Sequence, residues 1–244
     1  MISIIFFNFT PQLIIFLMKR IVITSLLLIL GVSLRAQETQ FVVTSSIVTI
    51  EEFQHAYSER GDYNYMRETS IPEDVKSEVV RAVYDALSDE ERECIESGDL
   101  YIENIGRYTN GLYAADIFSY GYDTFFFDAN LVPYDKRAQK THCAAYSTDG
   151  IFVGCDIFDC DPRIHLTFYR VNGDNTITEL AEYIDLSARL PYIAYEDDSR
   201  LSISKEYIDT PIFWCRGALY FIAIASDYNS AEVVYYRLDC ILST

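Results

Sequence analysis

One short segment brings together several residue types that could do chemistry. Residues 150–170 read GIFVGCDIFDCDPRIHLTFYR and contain two cysteines, three aspartates and a histidine. Such a set could bind a metal ion, form a disulfide or supply an acid–base pair. Because Asp161-Pro162 is typical of a tight turn, the segment is predicted to form a β-hairpin that turns at residues 160–163.

The predicted hairpin divides its side chains between two faces, because neighbours along a strand point to opposite sides. With that turn, residue 157 faces 166, 155 faces 168 and 153 faces 170. One face is apolar and is predicted to lie in the core: Ile151, Val153, Cys155, Ile157, Leu166 and Phe168. The other face carries the polar and aromatic residues Phe152, Asp156, Phe158, His165, Thr167 and Tyr169.

These faces argue against a disulfide or a metal site in the hairpin. An extended strand separates Cys155 from Cys160 by about 16 Å, well beyond the reach of a disulfide. The chain has no C-x₂-C pair, and its histidines and cysteines do not converge as tetrahedral zinc requires. We therefore expect no metal site and no cofactor.

Asp156 and His165 are the candidate catalytic pair. They lie diagonally on the polar face, where a carboxylate can raise the pKa of an imidazole and support acid–base chemistry. The favoured alternative is a cross-strand polar pair on a solvated face, since no nucleophile motif accompanies the two residues. The chain also contains 20 Tyr and 15 Phe, and the candidate ligand contacts are Phe158, Tyr169 and Trp214.

A second segment resembles the first in length and in its ends. Residues 217–237 read GALYFIAIASDYNSAEVVYYR and, like 150–170, begin with Gly and end with Tyr-Arg. We interpret the two segments as similar hairpins in one sheet. The second register places Gly217 opposite Cys240 and Cys215 diagonal to Cys240, about 7–8 Å away between Cα atoms. Cys215 and Cys240 are therefore the candidate disulfide.

The rest of the chain predicts an α+β fold. Pro72 and an apolar stripe from Val75 to Leu87 predict one helix, and Ser88 with Glu91 forms a capping box for a second that ends near residue 97. Residues 37–69 are expected to be an irregular lead-in with one strand candidate at residues 41–50. From residue 100, short apolar strands and turn signals predict antiparallel hairpins. The prediction is one domain, 37–244, with an N-terminal helical pair packed on a mostly antiparallel sheet; a β-sandwich with a helical appendage is the alternative.

Residues 1–36 are predicted to be a signal peptide. Met18 is the predicted translation start. Lys19 and Arg20 precede an apolar run, and the segment contains no acidic residue, which is the layout of a secretory signal. An uncleaved membrane anchor is the alternative. The protein is therefore expected to be exported, either to the periplasm or into the medium.

The charge limits the partners. The formal net charge is −18, which argues against nucleic acid and against an anionic membrane surface. The favoured function is a non-catalytic binding or inhibitor-type module outside the cytoplasm, with another protein or an envelope component as its partner. The alternative is a carboxylate-dependent hydrolase, with glycans among its substrates. No motif identifies a family.

Overall fold

The structure, a computed structural model, describes residues 40–119, 121–141, 143–156, 164–189, 212–226 and 231–243. The predicted signal peptide and the predicted turn at 160–163 lie outside these ranges. Phe41–Ile241 forms one compact unit, which contains the helices and sheets. Among the described residues, no helix has the length and hydropathy needed to cross a membrane.

The described chain contains three α-helices and thirteen strands. The helices are α1 (Ile50–Glu59), α2 (Glu73–Ala86) and α3 (Asp89–Ser97), with a short 3₁₀ turn at Arg60–Asp62. The strands are β1 (Gln40–Val48), β2 (Arg67–Glu68), β3 (Tyr101–Tyr108), β4 (Tyr113–Phe118), β5 (Tyr122–Phe127), β6 (Cys143–Tyr146), β7 (Ile151–Asp156), β8 (Ile164–Val171), β9 (Ile177–Asp185), β10 (Ala188–Arg189), β11 (Ile212–Cys215), β12 (Ala218–Ser226) and β13 (Ala231–Ser243).

The strands form three sheets in the described part of the chain. The N-terminal sheet has the order β2-β3-β4-β5, and the middle sheet has the order β6-β7-β8-β9. The C-terminal sheet has the order β1-β13-β12-β10, with β11 also on β12. Neighbouring strands of the first two sheets pair antiparallel, as do β10, β11 and β13 with β12. The chain is a β-rich α+β protein made mainly of antiparallel sheets.

The middle sheet is covered on both faces. On one face, Phe168 of β8 meets Trp214 of β11, with ring centroids 6.2 Å apart. On the other face, Phe152 of β7 meets Phe126 of β5 at 5.1 Å. All four rings are buried, so the three sheets pack face to face with the middle sheet between the other two.

Helices cover the outer faces of the two outer sheets. Phe53 of α1 packs against Phe213 of the C-terminal sheet, with ring centroids 5.3 Å apart. Val79 and Val83 of α2 lie in a buried cluster with Ile117 of the N-terminal sheet. The protein is therefore layered, with α1 on one outer side, the three sheets in the middle and α2 with α3 on the other side. The expected helical pair on a single sheet is not confirmed, because the strands divide among three sheets and α1 comes first in the chain.

The two predicted helices are present, and α3 has the predicted caps. α2 starts directly after Pro72. In α3, the hydroxyl of Ser88 accepts from the Glu91 backbone N–H and the Glu91 carboxylate accepts from the Ser88 N–H, which is the capping box. Gly98 ends α3 in the left-handed region at φ 82°, a conformation that glycine adopts without strain.

The prediction of an irregular segment at 37–69 is wrong for most of its described residues, although the strand candidate is present as β1. The segment contains β1 and α1, and α1 is capped by Thr49, whose hydroxyl accepts from the Glu52 N–H at 3.2 Å. Phe53 and Ala56 are the buried residues of this helix. Two apolar contacts in ten residues give a stripe too narrow to stand out as helical periodicity.

The hairpin at 150–170 has the predicted faces but a different register. β7 and β8 pair Cys155 with Leu166 and Val153 with Phe168, two residues away from the predicted pairing. A shift of two leaves every side chain on the same face, and these four residues are fully buried as expected. Most of the opposite face is not solvated, because the N-terminal sheet covers residues such as Phe152.

The second hairpin has the predicted register but lies in another sheet. β12 and β13 pair Ala218 with Asp239, in line with the expected pairing of residues 217 and 240. The expectation that both hairpins share one sheet is wrong, since β7 and β8 belong to the middle sheet and β12 and β13 to the C-terminal sheet. The two hairpins instead pack face to face.

Candidate functional site

A cleft of about 350 Å³ opens where the edges of the three sheets meet. Strand β2 of the N-terminal sheet, β6 of the middle sheet and β11 of the C-terminal sheet each contribute to its wall, together with the chain from residue 60 to 69. We call it the three-sheet cleft. Its lining includes Arg60, Arg67, Tyr108, Asp116, Ala144 and Tyr146.

Asn64 holds the 60–69 segment against two sheets. Its side-chain amide donates to the Trp214 carbonyl at 2.7 Å and accepts from the Trp214 N–H at 2.9 Å, so it pairs with β11 as another strand would. The neighbouring Tyr65 N–H donates to the Tyr146 carbonyl at the end of β6, at 2.7 Å. These bonds fix the position of Arg67 shortly downstream.

Arg67 and Asp116 form an ion pair in the wall of the cleft. Arg67 Nη1 lies 3.0 Å from Asp116 Oδ1 and 3.1 Å from Oδ2, and Arg67 Nη2 donates to the Asn104 carbonyl. The side chain of Arg67 is 16% exposed and that of Asp116 is 10% exposed. Removing one partner of such a buried ion pair strongly destabilises a protein, because it leaves the other as a buried charge without compensation.

The Asp116 carboxylate is also held by a buried threonine. The Thr124 hydroxyl donates to Asp116 Oδ1 at 2.7 Å, and the Thr141 hydroxyl lies 2.8 Å from that of Thr124. Both threonines are buried. In contrast, Arg67 Nε is buried and has no hydrogen-bond partner among the described residues.

Tyrosines form the aromatic part of the lining. The Tyr146 ring lies 4.9 Å from the Tyr65 ring and 5.1 Å from the Tyr108 ring, centroid to centroid. Burial raises the pKa of Tyr108 to about 12, and burial also raises the pKa of Tyr146. Both phenols therefore keep their protons at neutral pH and can donate hydrogen bonds.

Arg60 supplies a second guanidinium. Its Cζ lies 3.5 Å from the centroid of the Tyr57 ring, and its Nη1 donates to the Tyr57 carbonyl at 2.7 Å. The stacking orders a long side chain that would otherwise be mobile. Among the described lining residues, Asp116 is the only acid to set against the two arginines.

The predicted catalytic pair does not line this cleft. Asp156 is directly opposite His165 in the backbone register, not diagonal to it. Among the described side chains, His165 contacts Glu182, whose Oε1 lies 3.1 Å from Nε2, and Lys140, whose Nζ lies 3.4 Å from Nδ1. Glu182 belongs to β9, which the hairpin register alone could not reveal.

The predicted ligand contacts are core residues where they are described. The Tyr169 hydroxyl is tied to the Gln139 backbone, accepting from N–H at 3.1 Å. Trp214 is 1% exposed and donates from Nε1 to the Ala145 carbonyl at 3.2 Å, which joins β11 to β6. Phe158 lies outside the described residues.

The structure does not bring Cys215 and Cys240 together. Both are thiols. A turn at Arg216 and Gly217, both at positive φ, ends β11 and reverses the chain, so Cys215 lies on a strand two away from Cys240. Cys215 faces the α1 side of the C-terminal sheet, and Cys240 faces the middle sheet.

The arrangement offers binding groups more readily than catalytic ones. Within the described residues, no cluster of three His, Cys, Asp or Glu could hold a metal ion. Glycoside hydrolysis uses two carboxyl groups, whereas the described lining contains one, Asp116, which is already paired. The sequence does carry a signal for this residue, since an aspartate inside the apolar strand YAADIF needs a buried partner.

Comparisons with protein-family models, with curated proteins and with solved structures find no match to this chain. The geometry of the cleft is therefore the basis for assigning a function.

Proposed function

We propose that the protein is an exported, non-catalytic binding protein that holds its ligand in the three-sheet cleft. One observation carries the proposal: a polar cleft whose lone described carboxylate, Asp116, is already satisfied by Arg67 and Thr124. The hydrogen-bond donors of the lining remain to serve a ligand. The volume of about 350 Å³ is at the lower end of the range for small-molecule sites, about 300–1,000 Å³.

The same contacts disfavour acid–base catalysis in the cleft. A general acid or base needs a pKa near the working pH and access to the proton it transfers. Asp116 is bound to a guanidinium, and the pKa of Tyr108 is raised to about 12 by burial. The cleft therefore supports recognition better than proton transfer, which favours a binding module over a hydrolase.

The walls are suited to binding because they are ordered before any ligand arrives. Asn64 ties the 60–69 segment to β11, and the Arg67–Asp116 pair ties β2 to β4. A preorganised site loses little conformational entropy on binding. The ligand is proposed to come from another protein or from an envelope component outside the cytoplasm.

Export is part of the proposal and rests on the predicted signal at residues 1–36. Fractionation of cells that express the full chain should place the protein outside the cytoplasm, and N-terminal sequencing should give a start near Gln37. A product that keeps residues 19–36 and pellets with membranes would favour the anchor and overturn export.

Binding in the cleft can be tested by filling it. Ala144 is an exposed residue of β6 that lines the cleft, so Ala144→Trp should block the space without touching a charge. A library of small metabolites and sugars is screened by thermal shift, and hits are measured by calorimetry. Hits should bind the wild type and lose at least tenfold in affinity in Ala144→Trp.

The matched control is Ala86→Trp, at the exposed end of α2, which should bind hits as the wild type does. Hits that bind both tryptophan variants equally would place binding elsewhere. A library without hits, or turnover of a glycan that Ala144→Trp abolishes, would overturn the proposed binding function.

A further inference from the structure

We infer that the three-sheet cleft selects a small organic molecule with a single negative charge of the carboxylate type. This inference rests on the proposed binding function and names the chemistry of the ligand. It follows from the charge balance of the cleft, from its unused donors and from its aromatic wall.

The charge of the cleft favours a ligand with one negative charge. The protein as a whole repels anions, with a formal net charge of −18. The cleft departs from this background, because its described lining has Arg60 and Arg67 against Asp116 alone. Asp116 neutralises Arg67 through contacts of 3.0 and 3.1 Å. One positive charge, that of Arg60, is left over, and a monoanion would balance it.

The cleft lining also contains hydrogen-bond donors that a ligand could satisfy. Arg67 Nε is a buried donor with no partner among the described residues, and such a donor carries a free-energy cost unless something accepts from it. The Tyr146 oxygen already accepts from Asn110 Nδ2 at 3.3 Å, and among the described residues no acceptor is found for its own O–H. A carboxylate offers about four lone-pair sites and no donors, which complements a lining of this kind.

The aromatic wall of the cleft indicates the size and shape of the ligand. Tyr65, Tyr108 and Tyr146 form a continuous aromatic wall through edge-to-face contacts. A ring of five or six atoms could lie against this wall, while its carboxylate reached the guanidinium side. A dianion such as a phosphate monoester would be left with an unbalanced charge, because only one positive charge of the described lining is uncompensated.

The test uses ligands of one shape and different charge. Benzoate, phenyl phosphate, benzamide and benzamidine are titrated calorimetrically into the full protein at low ionic strength, with glucuronate and glucose as a second matched pair. Benzoate and glucuronate should bind at least tenfold more tightly than their neutral partners, and benzamidine should bind least. Added NaCl should weaken the anions but not the neutral compounds, since salt screens charge.

Arg60→Gln is the informative variant, because it removes the uncompensated charge and leaves the Arg67–Asp116 pair in place. It should weaken benzoate and glucuronate at least fivefold and leave benzamide and glucose unchanged. Arg81→Gln is the matched control, since Arg81 is an exposed arginine of α2 outside the cleft. It should bind benzoate as the wild type does.

Three outcomes overturn the inference. They are equal binding of benzoate and benzamide, tighter binding of phenyl phosphate than of benzoate, and wild-type affinity for benzoate in Arg60→Gln. If Ala144→Trp still abolishes binding of a neutral library hit, the binding function stands and only the anionic assignment fails. If no compound binds the wild type in a manner sensitive to Ala144→Trp, both fail.

Discussion

Cys143 of β6 lies directly opposite Cys155 of β7 in the middle sheet. Directly opposed residues have Cα atoms about 4.5–5.5 Å apart, inside the range of disulfides, about 4.4–6.8 Å. Both residues are thiols in the structure. The tight turn at 147–150 makes neighbours of these two cysteines, whereas the predicted hairpin at 150–170 pairs Cys155 only with the strand that follows it.

We predict that mild oxidation links Cys143 to Cys155. Diamide takes two electrons and two protons from the pair and is reduced to its hydrazine, so the protein loses two hydrogens as one S–S bond forms. Burial raises the pKa of the Cys143 thiol to about 11. Since the thiolate is the reactive form, the rate should rise about tenfold per pH unit between pH 7 and pH 9.

Peptide mapping by mass spectrometry identifies the linked cysteines. The peptides containing Cys143 and Cys155 should be joined in the wild type and separate in Cys143→Ser. A link between Cys215 and Cys240 would contradict the placement of these residues on opposite faces of the C-terminal sheet.

The ion pair of Arg67 and Asp116 should behave as a buried pair. We expect Asp116→Leu and Arg67→Met each to lower the free energy of unfolding by about 3–5 kcal/mol, because each leaves one buried charge without its partner. The double variant Arg67→Met with Asp116→Leu should recover most of this loss, since it removes both charges. Urea denaturation of the four proteins measures the coupling.

Lys76→Met is the control, because its ion pair with Glu73 is exposed on the Glu73 side. It should cost no more than about 1 kcal/mol. Additive losses in the double variant at Arg67 and Asp116 would argue that the two charges are not mutually compensating.

The sequence predicts the local structure well and the long-range assembly poorly, for physical reasons. The Ser88 capping box and the Pro72 helix start depend on neighbours within one turn, so they are readable from the chain. The face of Cys155 depends only on strand alternation. The predicted register of β7 and β8 is displaced by two residues, because it depended on placing the turn at 160–163, which lies outside the described residues.

The cleft cannot be derived in this way because its residues come from distant parts of the chain. Asn64 and Trp214 are hydrogen-bonded across 150 positions, and Arg67 meets Asp116 across 49. Neither pair has a local pattern. As the single tryptophan, Trp214 stands out in the sequence as a ligand contact, yet its indole N–H is used to join two sheets.

Glu91 should contribute stability that depends on pH. Burial by itself would raise the pKa of this carboxyl, but the Ser88 N–H at 2.9 Å and Arg137 at 2.5 Å outweigh it and hold the pKa below the ordinary value of 4.5. A carboxyl with a lowered folded pKa stabilises the protein above its unfolded pKa. That contribution is lost as the pH falls through the folded pKa.

Glu91→Gln should therefore be less stable than the wild type at pH 7, and the difference should shrink as the pH falls below about 4.5. Denaturant titrations between pH 3 and pH 7 measure it. Glu90→Gln is the control, since Glu90 lies in the same first turn of α3 but is exposed. A gap between Glu91→Gln and the wild type that does not change with pH would contradict the assignment.

Gly106 should be the glycine whose replacement most disturbs the cleft. A Cβ at this position would lie 2.6 Å from the Glu68 carbonyl oxygen and 3.1 Å from Arg67 Cγ. Because the first of these atoms belongs to the backbone of β2, the strand has to move and Arg67 has to move with it. We expect Gly106→Ala to lower the free energy of unfolding by about 1–3 kcal/mol. It should also weaken the binding of any ligand in the three-sheet cleft.

Gly61→Ala is the matched control, because a Cβ there meets nothing within 4 Å. It should leave stability unchanged or raise it by up to about 1 kcal/mol. Denaturant unfolding and calorimetric titration of both variants separate the two effects. If Gly106→Ala unfolds more easily but binds as the wild type does, β2 can shift without displacing the Arg67 guanidinium, and the cleft does not depend on the close approach of β2 to β3.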